Sequence, residues 1–90
     1  MRRSPAEELD ELARRFVDGK LAWEPFHRAF IDRFVRAEDR FLATAEGRKW
    51  NRVYGMVCGS LPDPVPDEVR GAGVVGAEEL RRLVAGELGL

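Results

Sequence analysis

Gly19 and Pro25 stand close together between two runs of apolar residues at helical spacing, and this pairing constrains the chain more than any other feature in it. In the stretch Phe16-Val-Asp-Gly-Lys-Leu-Ala-Trp-Glu-Pro-Phe-His-Arg-Ala-Phe30, one amphipathic helix stops at a glycine. The chain then turns within a few residues and a second, aromatic-rich helix begins at a proline. Glycine takes the left-handed conformation that closes a helix, and proline is preset for the first helical turn. A connection this short makes the two helices antiparallel neighbours.

The first helix carries its own start signals. Ser4 is placed as N-cap, Pro5 at the first helical position, and Glu7 completes a capping-box pattern. Leu9, Leu12, Ala13, Phe16 and Val17 form one apolar stripe, while Glu7, Glu8, Asp10 and Glu11 crowd the positive end of the helix dipole. The second helix is expected from Trp23 or Glu24 to about Ala45. On it Trp23, Phe26, Phe30, Phe34, Ala37, Phe41 and Ala45 share one face, with Ile31, Val35 and Leu42 on an adjoining arc. So wide an apolar arc packs against two neighbours and makes this helix the spine of a bundle.

A third helix is expected over roughly Arg48 to Leu61, with Trp50, Val53, Tyr54, Val57, Cys58 and Leu61 inward. Cys58 reads there as a small buried apolar residue. Gly55 and Gly59 share another face, suited to close backbone approach or simply weak points of the helix. Leu61-Pro-Asp-Pro-Val-Pro-Asp ends the helix, and residues 62–76 form a long connection with a short helical turn near Asp67 and an anchor at Val74 and Val75. A fourth helix follows from Ala77 to Leu88, burying Leu80, Leu83, Val84 and Leu88. The expected fold is all-α, a small antiparallel four-helix bundle, with residues 1–90 as one domain and the long loop between helices 3 and 4.

Composition agrees with this class and thins the list of functions. Ninety residues, 44% apolar and 34% charged, suit one small helical domain whose stability leans on a partner. One cysteine leaves no intrachain disulfide and no multi-thiolate metal site. No apolar run approaches the roughly 20 residues that span a bilayer, and Met1-Arg-Arg-Ser-Pro lacks a signal-peptide core, so the expected location is cytoplasmic, away from membranes. No phosphate-cradling loop, metal-ligand cluster or nucleophile–base pair is visible, and neither an enzyme nor a bound cofactor is expected.

Charge is segregated along the chain. Residues 4–18 hold five acids against two arginines, residues 25–55 seven bases against four acids, and residues 61–90 six acids against three arginines. His27 and Glu38 interrupt the apolar arc of the second helix. About three turns, roughly 16 Å of helix axis, would separate them, so they form no catalytic pair. His27 is expected against Trp23, and Glu38 at a helix seam beside an arginine. Arg33, Arg36 and Arg40 make a narrow basic stripe, continued by Arg48, Lys49 and Arg52. Asp32 and Asp39 break it and the net charge is −1, which argues against nucleic acid as the partner.

The hairpin Phe16-Val-Asp-Gly-Lys-Leu-Ala-Trp-Glu-Pro-Phe resembles the "F-x-x-G-K-I-S-x-x-E-F" hairpin of the colicin D immunity-like proteins, a family of self-protective bacterial immunity proteins. The likeness resumes at Pro62-Asp-Pro and at Pro66-Asp-Glu-Val-Arg70, similar to that family's Asp-Pro-x-Leu-Arg step. It ends at Ala77-Glu-Glu-Leu-Arg81, which resembles its closing helix. The resemblance implies a noncatalytic helical bundle that binds a cognate bacterial toxin, such as a tRNA-cleaving nuclease, and occludes its active site with acids placed where substrate phosphates would lie. It points to Asp63, Asp67 and Glu68 as partner-binding residues. The alternative is a helical adaptor or subunit of a larger bacterial assembly. Either protein would be a monomer or a weak homodimer.

Overall fold

A computed structural model describes residues 4–69 and 74–90 of the chain. These residues are mostly helical, and five α-helices occur among them: α1 (Pro5–Val17), α2 (Trp23–Val35), α3 (Asp39–Leu42), α4 (Ala45–Cys58) and α5 (Ala77–Glu87). Two strands of two residues each, β1 (Ser60–Leu61) and β2 (Val75–Gly76), pair in parallel, with Ser60 opposite Val75 and Leu61 opposite Gly76.

Helix α1 begins and ends where its sequence says it should. The Ser4 hydroxyl accepts from the Glu7 amide at 3.2 Å, Pro5 opens the first turn, and Gly19 lies at φ 78° just beyond the end. Helix α2 is shorter than its apolar pattern suggests. It stops at Val35 instead of running to Ala45, and Glu38, in extended conformation, starts the separate short helix α3. No glycine or proline marks that break; the chain turns there because α3 packs back onto α4. Thr44 caps α4, accepting from the Gly47 amide at 3.0 Å while its hydroxyl donates to the Phe41 carbonyl at 2.6 Å.

That turn brings two backbones together at Gly47. A methyl group there would overlap the Phe41 carbonyl oxygen and lie 2.7 Å from the Leu42 Cα. Of the two readings of Gly55 and Gly59, close backbone approach does not hold at Gly55, where a methyl would meet nothing within 4 Å, and Gly59 is the C-cap of α4.

Four long helices surround one core. Helix α1 packs on α2, α4 and α5, while α4 packs on α2 and α5. Leu9, Ala13 and Phe16 from α1, Phe26, Phe30 and Phe34 from α2, Trp50, Val53 and Val57 from α4, and Leu80 and Val84 from α5 are buried together. Phe16 stacks on Phe26 with ring centroids 4.2 Å apart, and Phe30 meets both Phe26 at 5.5 Å and Trp50 at 6.1 Å. Aromatic pairs add about 0.5–1.5 kcal/mol each beyond their buried area, so this chain of rings ties α1, α2 and α4 together.

Three inward assignments are corrected. Val57 takes the core position at the end of α4, and Cys58, roughly 100° further round the helix, is exposed. Leu61 lies in β1, because α4 ends three residues before it. Leu83 is exposed on α5, since Leu80 and Val84 already occupy the face toward the core. Val75 packs against the core as an anchor for the long connection. The Arg70 position and residues 71–73 lie outside the described residues.

Candidate interaction surface

The connection after α4 is pinned at its base. Leu61 and Gly76 face each other across the parallel pair, and the Val75 amide donates to the Gly59 carbonyl at 3.1 Å. Between these points the chain carries a cis Asp63–Pro64 peptide bond and a 3-10 turn over Asp67–Val69, where the sequence places its short helical turn.

Asp63 is the polar centre of this region. Helix α5 has Gly76 as its N-cap residue and therefore lacks a capping side chain of its own. The Asp63 carboxylate supplies the cap from 15 positions away, accepting from the Glu78 amide at 3.1 Å. A carboxylate at this end of a helix meets unpaired N–H groups and the positive pole of the dipole. Space for it depends on Gly76, where a methyl would overlap Asp63 Oδ1 and come within 3.1 Å of the Val65 side chain. Glycine at 76 therefore lets an aspartate fold in from the loop.

Asp63, Pro64 and Val65 face Glu78, Glu79 and Arg82 of α5 across an open cleft of about 630 Å³. Three carboxylates against one guanidinium make its rim acidic. Glu78 pairs with Arg81, whose Nε donates to the Phe16 carbonyl at 2.8 Å and whose guanidinium lies 4.8 Å from the Phe16 ring centroid. Arg81 thus connects the acidic rim to the C-terminal end of α1. Of the three residues singled out in the sequence, Asp63 is in the cleft, while Asp67 and Glu68 stand exposed on the adjoining 3-10 turn. Sequence reasoning missed Glu78, Glu79 and Arg82 as their neighbours, because the contact is made by a distant cap and not by any periodic pattern.

Three of the six residues of the basic stripe pair with carboxylates within the molecule. Arg33 pairs with Glu8 of α1, Arg36 lies 3.3 Å from Asp32, and Arg52 lies 3.3 Å from Glu87. Since α2 ends at Val35, Arg40 belongs to a different helix from Arg33, and the stripe is not one continuous face. Glu38 is not at a seam between long helices but is the exposed N-cap residue of α3.

His27 rests against Trp23 as its position suggests, with ring centroids 4.7 Å apart. The Trp23 indole donates to the Ser60 hydroxyl at 2.9 Å, and Ser60 donates to the Val57 carbonyl at 2.6 Å. This relay fastens the start of α2 to the end of α4 and satisfies the buried serine. On α4 the Tyr54 phenol is held above its usual pKa, first by its hydrogen bond with the Cys58 thiol, then by the charge that thiol can carry, and then by burial.

Among the described residues, no three His, Cys, Asp or Glu side chains gather where they could hold a metal ion, and no helix is long and apolar enough to cross a membrane. No family model, curated protein or solved structure matches the chain.

Proposed function

We propose that the protein is a noncatalytic binding module that covers the functional surface of another protein, in the manner of a cytoplasmic immunity protein occluding a bacterial toxin. The observation that carries this reading is the fixed acidic rim. Asp63 is held on the end of α5, and the paired strands fix both ends of its loop to the helices. Charges held in place lose little freedom on docking and attract a basic cleft at long range. The reading takes the four long helices as an antiparallel bundle in which residues 59–76 form the long connection before the last helix.

Asp63 holds this surface in shape, while Asp67, Glu68 and Glu79 make the contacts with the partner. A nuclease-type toxin encoded beside this gene is the first partner to test, by co-purification and by calorimetric titration at low and high salt. Reversing Asp67, Glu68 and Glu79 to lysine should weaken binding at least tenfold and flatten its salt dependence. Unchanged affinity in that triple variant would remove occlusion by acids. Tight, salt-independent binding would favour the adaptor reading instead.

A further inference from the structure

The outer flank of α2 is apolar where solvent should meet a polar face. Trp23, His27, Ile31 and Val35 fall four residues apart in one row; the first three are half-buried, and Val35 is 61% exposed. A shallow hollow of about 510 Å³ opens along this row and is lined by α2 residues alone. The next row consists of Glu24, Arg28, Asp32 and Arg36, all exposed, with signs alternating along the helix. Within the chain, Arg28 sits 3.0 Å from Glu24 and Arg36 sits 3.3 Å from Asp32. With side chains this open to solvent, such pairs contribute little alone.

We propose that this face is a self-association surface on which α2 of a second copy docks antiparallel. The charge row selects both the occupant and its direction. A parallel copy, related by a two-fold axis along the seam, would place the two charged rows on opposite sides of it, where they cannot pair. An antiparallel copy centred on the apolar row sets Trp23 against Val35 of the second copy and His27 against its Ile31. The charged rows then lie on the same side of the seam. Arg28 meets Asp32 of the second copy, and Glu24 meets its Arg36, each with an axial offset of about 3 Å that long side chains span. Two-fold symmetry repeats both pairs, so one surface is complementary to itself.

The contact is small. A 13-residue helix is about 20 Å long, so the strip buries well under the roughly 800 Å² per partner of a standard interface. The dimer is therefore a weak one, and local concentration controls it. It uses a different face from the acidic rim and stands or falls apart from toxin binding.

Sedimentation equilibrium over a concentration series up to about 2 mM reads this directly, with circular dichroism confirming that each variant folds. Val35→Glu should weaken association at least tenfold. Arg28→Glu and Asp32→Arg should each weaken it severalfold, by placing like charges across the seam. The double variant R28E/D32R should recover most of the loss, because both cross-seam pairs return with reversed sign. That rescue separates the two explanations, since the double variant leaves like charges facing each other within the helix at positions 24 and 28 and at 32 and 36. A monomer throughout the series, indifference to Val35→Glu, or a double variant as weak as the singles would each overturn the proposal.

Discussion

Replacing Gly47 by alanine should destabilise this protein, although the same change inside a helix ordinarily stabilises it. In an exposed helix interior, alanine is favoured over glycine by about 1 kcal/mol. Gly47 lies in the first turn of α4, where a methyl group would overlap the Phe41 carbonyl oxygen and approach the Leu42 Cα to 2.7 Å. Both obstacles are backbone, so no side chain can rotate out of the way. Relief requires α3 to move off α4, which strains the Thr44 cap that spans the same turn. Overpacking of this kind costs about 1–3 kcal/mol, and the loss outweighs the helix preference. Gly55 is the control on the same helix, since a methyl there meets nothing within 4 Å. An overlap this close with backbone belongs at the upper end of that range, so the net expectation is a loss of about 1–2 kcal/mol for Gly47→Ala and a gain of up to about 1 kcal/mol for Gly55→Ala. In a domain of this size each kcal/mol moves the melting temperature by about 4–8 °C, so Gly47→Ala should lower it by about 4–16 °C while Gly55→Ala raises it by up to about 8 °C. Thermal melts followed by circular dichroism read both signs. A Gly47→Ala variant as stable as the parent, or shifted like Gly55→Ala, would refute the close approach of α3 and α4.

Three further outcomes follow from particular contacts. Asp63→Ala removes the side-chain cap that α5 receives from the loop and should cost about 1 kcal/mol in urea denaturation, with Asp63→Asn costing less because the amide oxygen can still accept from Glu78. Arg81→Met keeps an unbranched apolar stem but loses the hydrogen bond to Phe16 and the guanidinium contact with its ring; a loss of about 1–2 kcal/mol by the same assay is expected, against no change if the guanidinium merely points to solvent. Cys58→Ala removes the group that chiefly raises the Tyr54 phenol, so ultraviolet titration should show Tyr54 ionising at lower pH than in the parent protein.

Much of the scaffold is written in local chemistry. Ser4 and Gly19 bracket α1 because a cap and a left-handed residue act on their nearest neighbours, and Phe26, Phe30 and Phe34 announce their common face through helical spacing alone. The break after Val35 left no such trace. Arg36, Ala37 and Glu38 are all compatible with continued helix, and only the packing of α3 against α4 at Gly47 makes the turn worthwhile. Thr44 was the one local hint, a capping residue inside what looked like a single long helix. The acidic rim was half legible: Asp63, Asp67 and Glu68 came forward through the family resemblance of the proline-rich loop and not through any local pattern. The union of Asp63 with Glu78 and Glu79 depends on a cap reaching across 15 residues and on two strands too short to show alternation.

The two tryptophans sit in opposite kinds of surroundings, and that difference makes the protein its own optical instrument. Trp50 is 1% exposed, and its indole N–H has no hydrogen-bond partner among the described residues, so its fluorescence reports on a dry aromatic core and shifts to the red only when that core opens. Trp23 is half-buried, donates to Ser60 and touches the His27 ring beside the apolar row of α2, so its emission responds to whatever settles on that face. In Trp23→Phe the remaining signal follows unfolding, and the difference from the parent spectrum follows docking. Folding and association can then be watched separately in one unlabelled sample.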